Sequence, residues 1–578
     1  MHKTPGMPMN LDSTLAGLVA GLLLLSLAGC SDDGVTAEAG EAGAMRDLTD
    51  KSLASFTGYV PPQCYTKTRT AGHAQAANPC YVCHTESRAP NFIDDADLQL
   101  AYDFANPRRT ARKNNPWTNL FKDYRNAVAR VPDREIRAYV RADNYRDDTG
   151  RIALADRLAD VPAGWDANGD GRWQGYVPDV YFDFDAAGYD HAPGGAYTGW
   201  RAFAYTPVPG SFIPANGSFD DVLIRLPRVF RQDRRGRFDV AVYTLNLAIT
   251  ESLIKRADVP IAATDEHDYD IDLNRDGHLD IAHRVVYDWA PLQDRDMAWV
   301  GRAAATHRRL AAGLYPEGTE FLHTLRYLDV VDGTVVRAPR MKELRYARKQ
   351  AWLTYSDRRA MAFDELKEAH DFPDRPAQFA GDVERGVANG LGWVYQGFIE
   401  DARGDLRPQT FAETNTCMGC HGGVGATTDA SFAFPRKRAG NTPDRGWYYW
   451  NQRAMAHLAE PRLTDGRGEY STYLRNARAG DEFRNNADII ARFFTPAGAE
   501  KPAAFRRLEQ TIGAMILPSP DRALALDKAY REIVRQQSFI HGRTAHVAPM
   551  DNVHRAVAPG EPTGVSTPVS VEHDARAH

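Results

Sequence analysis

Two pentapeptides in this sequence carry the residue types for one specific piece of chemistry. Residues 417–421 read C-M-G-C-H, and residues 80–84 read C-Y-V-C-H. Two thiols at this spacing can add to the two vinyl groups of one haem, and the His that follows can bind the iron as its proximal ligand. The spacing therefore predicts two covalently bound haems, attached through Cys80, Cys83, Cys417 and Cys420, with His84 and His421 on the two irons.

Two other interpretations of the motifs stay open. A structural zinc site needs four ligands, which usually come as paired clusters. A C-x-x-C redox pair uses the two thiols alone. The redox pair does not account for the His that follows the second Cys in both motifs.

The residues of the two motifs resemble those of c-type cytochromes. The resemblance implies two haem c groups and electron transfer. It is confined to the motifs, and most of the chain lies outside it. The haem ligands His84 and His421 are also further apart than those of dihaem cytochrome c peroxidases, whose two small haem domains follow each other closely.

The sixth ligand of each iron separates an electron carrier from an enzyme. A distal His or Met gives a carrier, whereas an open position permits chemistry. Several such residues follow the second motif: Met455, His457, Met515, His541, His546 and Met550. Met455 and His457 come first and are at a plausible distance for a distal loop.

The first haem has far fewer candidates. No His or Met lies between His84 and His191. Its nearby candidates are Cys64 and His73, both upstream of the motif. Otherwise it takes a ligand from a distant part of the chain or stays five-coordinate. Cys64 has a second interpretation, as a buried small apolar residue.

Two loops carry the pattern D-x-N-x-D-G, which places oxygen ligands at positions 1, 3 and 5 and Gly at the sharp turn. The predicted calcium ligands are Asp166, Asn168 and Asp170 in the first loop, and Asp272, Asn274, Asp276 and Asp280 in the second. Position 12 is Val177 or His283, where an EF-hand has Glu, so a nearby carboxylate such as Asp179 or Asp270 is expected to complete the shell. Turns rich in Asp and Asn form without metal too, and this alternative stays open.

The start of the chain predicts export. The apolar run Leu15–Leu27 is short for a membrane span and is followed by a Cys in the sequence L-A-G-C. This pattern resembles the lipobox of bacterial lipoproteins. Residues 1–29 are then a signal peptide, and Cys30 carries the lipid. The expected location is the bacterial cell envelope, lipid-anchored at the periplasmic face or in the outer membrane, although an ordinary cleaved signal remains an alternative.

The balance of charged residues limits the classes of partner that we expect. The chain has 70 Lys and Arg against 76 Asp and Glu, and its net charge is −6. Without a basic excess, no nucleic-acid partner is expected. The expected partners are the membrane, through the lipid, and a redox partner protein or a small-molecule electron donor or acceptor.

The predicted fold class is α+β, with mostly helical haem-binding regions at both ends of a β-rich middle segment that holds the two calcium-type loops. The expected divisions are a flexible tether at 30–55, a first haem region at 56–150, the β-rich region at 151–345, a helical second haem region at 346–558 and a disordered tail at 559–578. Strands are predicted at Val222–Leu226, Phe238–Leu245 and Phe321–Val331, with a hairpin turn at Asp332-Gly333. Helices are predicted at Asp364–His370, Ala487–Phe494, Ala503–Leu517 and Ala523–Val534.

Three functions are compatible with these features. The first is a lipid-anchored dihaem cytochrome c that carries out electron transfer in the cell envelope. The second is a dihaem oxidoreductase, similar to a peroxidase or a haem oxygenase, with one open haem. The third is a surface module whose β-rich region binds a partner. The large middle segment favours the enzyme, since a carrier needs no such domain, whereas the abundance of cytochrome carriers favours the first.

Overall fold

The computed structural model describes residues 52–54, 115–210, 213–290, 297–307, 309–371, 378–423, 425–438, 446–448, 458–463, 465–477 and 486–556. Several predicted features lie outside these residues: the signal peptide, the C-terminal tail, Cys30, Cys64, His73, Cys80, Cys83, His84, Met455 and His457. The second motif and both calcium-type loops are described.

An antiparallel sheet of ten strands organises the described residues. Its order is β1-β9-β10-β11-β8-β7-β4-β3-β2, and β12 pairs with β11. The strands are β1 (Ser52–Ala54), β2 (Tyr189–His191), β3 (Tyr197–Ala202), β4 (Phe219–Arg225), β7 (Glu320–Val331), β8 (Thr334–Lys349), β9 (Gln378–Asp382), β10 (Gly386–Ala388), β11 (Trp393–Glu400) and β12 (Leu406–Pro408). A separate pair consists of β5 (Val259–Asp265) and β6 (Ile281–Val285).

The helices lie before, between and after these strands. They are α1 (Arg125–Arg130), α2 (Asp133–Arg141), α3 (Ala153–Ala159), α4 (Val240–Lys255), α5 (Arg302–Thr306), α6 (Tyr355–Asp371), α7 (Phe411–Asn415), α8 (Met418–His421), α9 (Glu469–Ala477), α10 (Ala487–Phe493), α11 (Pro502–Gln510), α12 (Gly513–Ile516) and α13 (Pro520–Gln536). Short 3-10 helices cover Thr118–Phe121, Arg228–Arg231, Glu266–Asp268, Ala426–Thr428 and Phe539–His541. The α+β class is confirmed.

The hairpin of β7 and β8 forms where the sequence predicts it. Asp332 and Gly333 both have positive φ, 50° and 74°. A two-residue turn with both residues in the left-handed region matches the twist of the strands that it joins. The predicted strands at Val222–Leu226 and Phe321–Val331 are confirmed as β4 and β7.

The predicted strand at Phe238–Leu245 is wrong, because α4 begins at Val240. Asp239 caps the helix, with its carboxylate accepting from the backbone N–H groups of Ala241 and Val242. Every residue from 245 to 255 is buried. A helix buried all round has no polar face, so its sequence lacks the 3.6-residue alternation that distinguishes a helix from a buried strand.

The sheet also extends beyond its predicted limits. β8 ends at Lys349, and β9 to β12 lie inside the region expected to be helical. At the other end, Ser52–Ala54 falls inside the predicted tether and pairs with β9. Several of these strands have only three residues, which is too short for a period-2 signal.

Helix α13 lies against β7 and brings the two ends of the described chain together. The backbone N–H of Leu328 donates to Asp527 Oδ1 at 3.2 Å. On the outer side of α13, Lys528 and Arg531 pair with Asp133 and Glu135 of α2. The segments expected to be separate first and second haem regions therefore pack on each other.

The cap of α4 gives a test of this fold. Asp239→Ala removes the acceptor of two N–H groups and is expected to lower the free energy of unfolding by about 1 kcal/mol. Asp239→Asn is the matched control, because Asn caps helices about as well as Asp. Urea denaturation of both variants measures the difference, and equal losses would contradict the capping role.

Candidate haem-binding site

The second C-x-x-C-H motif forms a short helical turn after α7. A capping box starts α7, in which Thr410 Oγ1 accepts from the Glu413 N–H and Glu413 Oε2 accepts from the Thr410 N–H. The N–H groups of Cys420 and His421 then donate to the carbonyl of Cys417, at 3.2 and 3.1 Å. Residues three and four apart lie on one helix face. Both thiols and the imidazole therefore share a face.

This segment contacts one row of the sheet. His323 of β7 pairs with Arg345 of β8, which pairs with Gly397 of β11. A Cβ at Gly397 would lie 2.5 Å from the Gln409 side chain, and the Gln409 N–H donates to the Gly397 carbonyl at 2.8 Å. The absence of a side chain at residue 397 leaves room for the Gln409 side chain against the strand. Tyr395, two residues along the same face, has its ring 4.8 Å from that of His421.

The His421 ring is held in a neutral form. Burial and, after it, the nearby charge of Arg345 lower the pKa of His421 to about 4. The backbone of Ala430 hydrogen-bonds to the ring, and the ring of Phe432 lies 5.3 Å away. A neutral imidazole is the form that binds metal.

Two guanidinium groups lie beside the motif and share one carboxylate. Glu343 is fully buried, and its Oε2 accepts from Arg345 Nε at 2.8 Å and from Arg543 Nη1 at 2.9 Å. Arg543 also donates to Thr416 Oγ1 at 2.9 Å. Burial lowers the pKa of both arginines, but Glu343 and Cys417 both raise it, and the net shift is upward.

These residues fit a covalently attached haem. Both thiols are half-buried, so they are not sealed in the core. His421 is neutral. Arg345, Arg543 and Glu343 together carry one net positive charge. Arg pairs well with carboxylates such as haem propionates. Cys417 and Cys420 would hold the group, and His421 would bind its iron.

Of the candidate distal ligands that are described, Met515, His546 and Met550 have other neighbours, and His541 lies in a 3-10 helix that packs on α7. Met515 is buried in the core, and Met550 packs with Leu120. His546 Nδ1 lies 3.1 Å from the Thr544 carbonyl and Nε2 lies 3.2 Å from that of Lys122. His541 is in a 3-10 helix after α13.

A residue that sequence reasoning missed lies near the motif instead. The charge of His323 lowers the pKa of His421. Its Nε2 is 2.9 Å from Asp220 Oδ2, and the Tyr205 hydroxyl donates to the same oxygen. No local signal marks His323, because only the pairing of β7 with β8 brings it here.

The first calcium-type loop folds around Asp166, whose carboxylate accepts from the N–H groups of Gly169 and Gly171 at 2.7 Å each. Asn168 and Asp170 are exposed on the same loop. Glu384, from the turn between β9 and β10, accepts from the Ala167 N–H at 3.3 Å. Burial, with a smaller contribution from the charges of Asp166, Asp382 and Asp170, raises the pKa of Glu384 to about 7.

The second loop has a similar arrangement around Asp272, which accepts from the N–H groups of Arg275 and Gly277. Here the buried carboxylate is Glu266. It accepts from Leu273 and Asn274 through Oε1 and from Asp280 through Oε2.

Asp179 and Asp270, the residues expected to complete these shells, have other partners in this structure. Asp179 accepts from Trp200 Nε1 and pairs with Arg225, and Asp270 lies 3.9 Å from Arg234. Within the described ranges, no three His, Cys, Asp or Glu side chains are grouped closely enough to hold a metal ion unaided.

The Glu343 cluster gives a test of the haem-binding site. Burial raises the pKa of Glu343, but Arg345 and Arg543 outweigh burial and lower it to about 2. Glu343→Gln leaves the guanidinium groups without their carboxylate and is expected to cost about 3 kcal/mol of stability at pH 7. The wild type is more stable than the variant above pH 4.5, the ordinary pKa of a Glu carboxyl. This difference in the free energy of unfolding is lost as the pH falls towards 2.

Glu317→Gln is the control, because its pair with Arg309 is exposed and such pairs contribute below about 1 kcal/mol. Urea denaturation between pH 3 and pH 7 compares the variants. Equal losses from Glu343→Gln and Glu317→Gln would contradict the role of Glu343.

Comparison with known proteins assigns most of the chain to a family. The sequence model of a lipoprotein family matches residues 54–504, which contain both C-x-x-C-H motifs and both D-x-N-x-D-G loops. An uncharacterized lipoprotein of Aquifex aeolicus (strain VF5) is 31% identical over 566 residues, which cover 87% of this chain and 88% of that protein. No solved structure was found to match. Within the described segments, no helix has the length and apolar character of a membrane span. The chain belongs to this family of lipoproteins.

Proposed function

We propose that this lipoprotein is a dihaem cytochrome c that transfers electrons in the bacterial cell envelope. The observation that carries the proposal is the placement of Cys417, Cys420 and His421 on one face of a short helix. The thiols are half-buried and the imidazole is neutral. A bound haem supplies a one-electron iron couple there.

The chain's own residues have distinct roles in this proposal. Cys417 and Cys420 fix the haem in one orientation, and His421 supplies the proximal nitrogen. Asn389 holds the motif on the sheet, since its Nδ2 donates to the His421 carbonyl at 2.8 Å. Arg345 and Arg543 supply positive charge beside the attachment point.

Membership of a lipoprotein family supports an anchored protein. In our proposal, Cys30 carries the lipid, and the protein acts at the periplasmic face or in the outer membrane. Cys80, Cys83 and His84 hold the first haem. The partner is a redox protein or a small electron donor or acceptor.

One observation favours the alternative, a dihaem oxidoreductase with an open haem. His323 lies near His421 and is paired with the buried carboxylate of Asp220. A polar side chain oriented by a carboxylate is suited to proton transfer at an iron-bound substrate. His323 would instead complete a carrier if it bound the iron directly.

The haem count is the first test. Cys417→Ala with Cys420→Ala is expected to remove half of the pyridine haemochrome signal, because each pair of thiols attaches one haem. Cys80→Ala with Cys83→Ala is the matched control and should remove the other half. One haem or three in the parent protein would contradict the proposal.

Spin state separates carrier from enzyme. Electron paramagnetic resonance of the oxidised protein is expected to show a low-spin haem at His421. Its signal should not change when cyanide is added. Variants of His323, Met455 and His457 to Ala then identify its distal ligand by conversion to high spin. The same measurement on Cys64→Ala and His73→Ala addresses the first haem. A high-spin signal in the parent that responds to cyanide or peroxide would replace the carrier with the oxidoreductase.

A further inference from the structure

The two calcium-type loops differ in their buried glutamates. Glu384 and Glu266 are both 0% exposed, and each accepts from the N–H at position 2 of its loop. Both carboxylate oxygens of Glu266 accept hydrogen bonds from backbone N–H groups of the loop. Glu384 uses Oε1 only, and its Oε2 is buried with no partner among the described residues.

An unpaired carboxylate oxygen is costly to bury, because the charge loses its water without gaining a donor. The negative charges of Asp166, Asp382 and Asp170 also act on Glu384, and they raise the free-energy cost of burying its carboxylate. Asp382 has its own cation, Arg385 at 3.1 Å. Among the described residues, no cation pairs with Glu384 in this way, and Glu384 lies against a loop that presents two more carboxylates.

The docking of the loop on the sheet brings Glu384 to this place. A Cβ at Gly175 would lie 1.9 Å from the Glu384 carbonyl oxygen, so the segment after the loop comes this close only because residue 175 is Gly. Gln396 of β11 joins the two segments. Its Nε2 donates to the Glu384 carbonyl at 2.6 Å, and its Oε1 accepts from the Tyr176 N–H at 2.8 Å.

We propose that Ca²⁺ draws together Asp166, Asn168, Asp170 and Glu384, which are not grouped as a metal site in this structure. Glu384 then supplies from the β9–β10 turn the carboxylate that an EF-hand takes from its twelfth position. Hard oxygen ligands of this kind suit Ca²⁺, and backbone carbonyls and water complete such shells. The second loop lacks an available carboxylate oxygen on Glu266 and is not part of the site.

The site is connected to the motif through one strand. β10 begins two residues after Glu384 and leads to Asn389, which holds the His421 carbonyl. Asn389 Oδ1 also accepts from the N–H groups of Leu391 and Trp393. Calcium at Glu384 would therefore stabilise the turn from which this support of the motif begins.

The test uses the full-length protein, freed of calcium with a chelator and then titrated with Ca²⁺ up to several times the ~10⁻⁴–10⁻³ M at which exported calcium modules often bind. Isothermal calorimetry gives affinity and stoichiometry, and thermal melting gives the stabilisation that binding to the folded state produces. We expect one Ca²⁺ per chain. Glu384→Gln should weaken binding by about tenfold or more, because affinity depends on the number of charged ligands.

Controls separate a lost ligand from a damaged fold. Glu384→Gln in chelator should melt no lower than the parent, since it removes an unpaired charge. Asp170→Asn changes an exposed loop residue and should weaken binding as well, even if Glu384→Gln does not fold. Glu266→Gln should lower the melting temperature to the same extent with and without Ca²⁺. No binding by the parent, or parent-like affinity in Glu384→Gln or Asp170→Asn, would overturn the proposal.

Discussion

The buried carboxylate of Glu343 joins the parts of the chain on which the candidate haem-binding site depends. It is on β8, the strand that β7 and β11 both flank, and it holds Arg543 from the segment after α13. Arg543 in turn contacts the Glu413 carbonyl and Thr416, directly before the motif. Two arginines and one carboxylate in a buried setting are stable only together, because a lone buried charge costs several kcal/mol. The position of the motif therefore depends on residues from three distant segments.

The same principle accounts for the architecture around the site. The sheet supplies one face, and the segment before α7 lies directly on it, since the Gln409 N–H donates to the carbonyl of Gly397 in β11. Charged groups then fix the register of that segment, and the neutral His421 faces aromatic rings. This arrangement separates the roles of the residues. Packing positions the motif, while the two thiols and the imidazole remain available for chemistry.

The sequence predicts those features whose signal is local. Asp332 and Gly333 specify a turn by backbone conformation alone, and the strand-like run Phe321–Val331 before it is confirmed as β7. The C-x-x-C-H spacing likewise predicts which residues share a helix face. Helix α4 was missed because its burial removes the pattern that would identify it. The short strands after residue 349 were missed because they are recognisable only through their partners.

The remaining features of the site could not be predicted, since they depend on contacts between residues far apart in sequence. His323 and Arg345 become neighbours only when β7 pairs with β8, and Arg543 is distant from both. Glu384 meets the first calcium-type loop only after the sheet has formed. Charged residues at these positions look like an exposed strand face in the sequence. Their burial and their partners are properties of the fold.

The central claim is that Cys417 and Cys420 hold a haem on this face of the sheet. Mass spectrometry of the proteolytic peptide that contains residues 417–421, isolated from protein exported by a host that matures c-type cytochromes, tests it most directly. Our account predicts that the peptide carries the mass of one haem, with fragment ions that place it on both cysteines. A peptide with no added haem, whose thiols react with an alkylating agent or are joined as a disulfide, would contradict it.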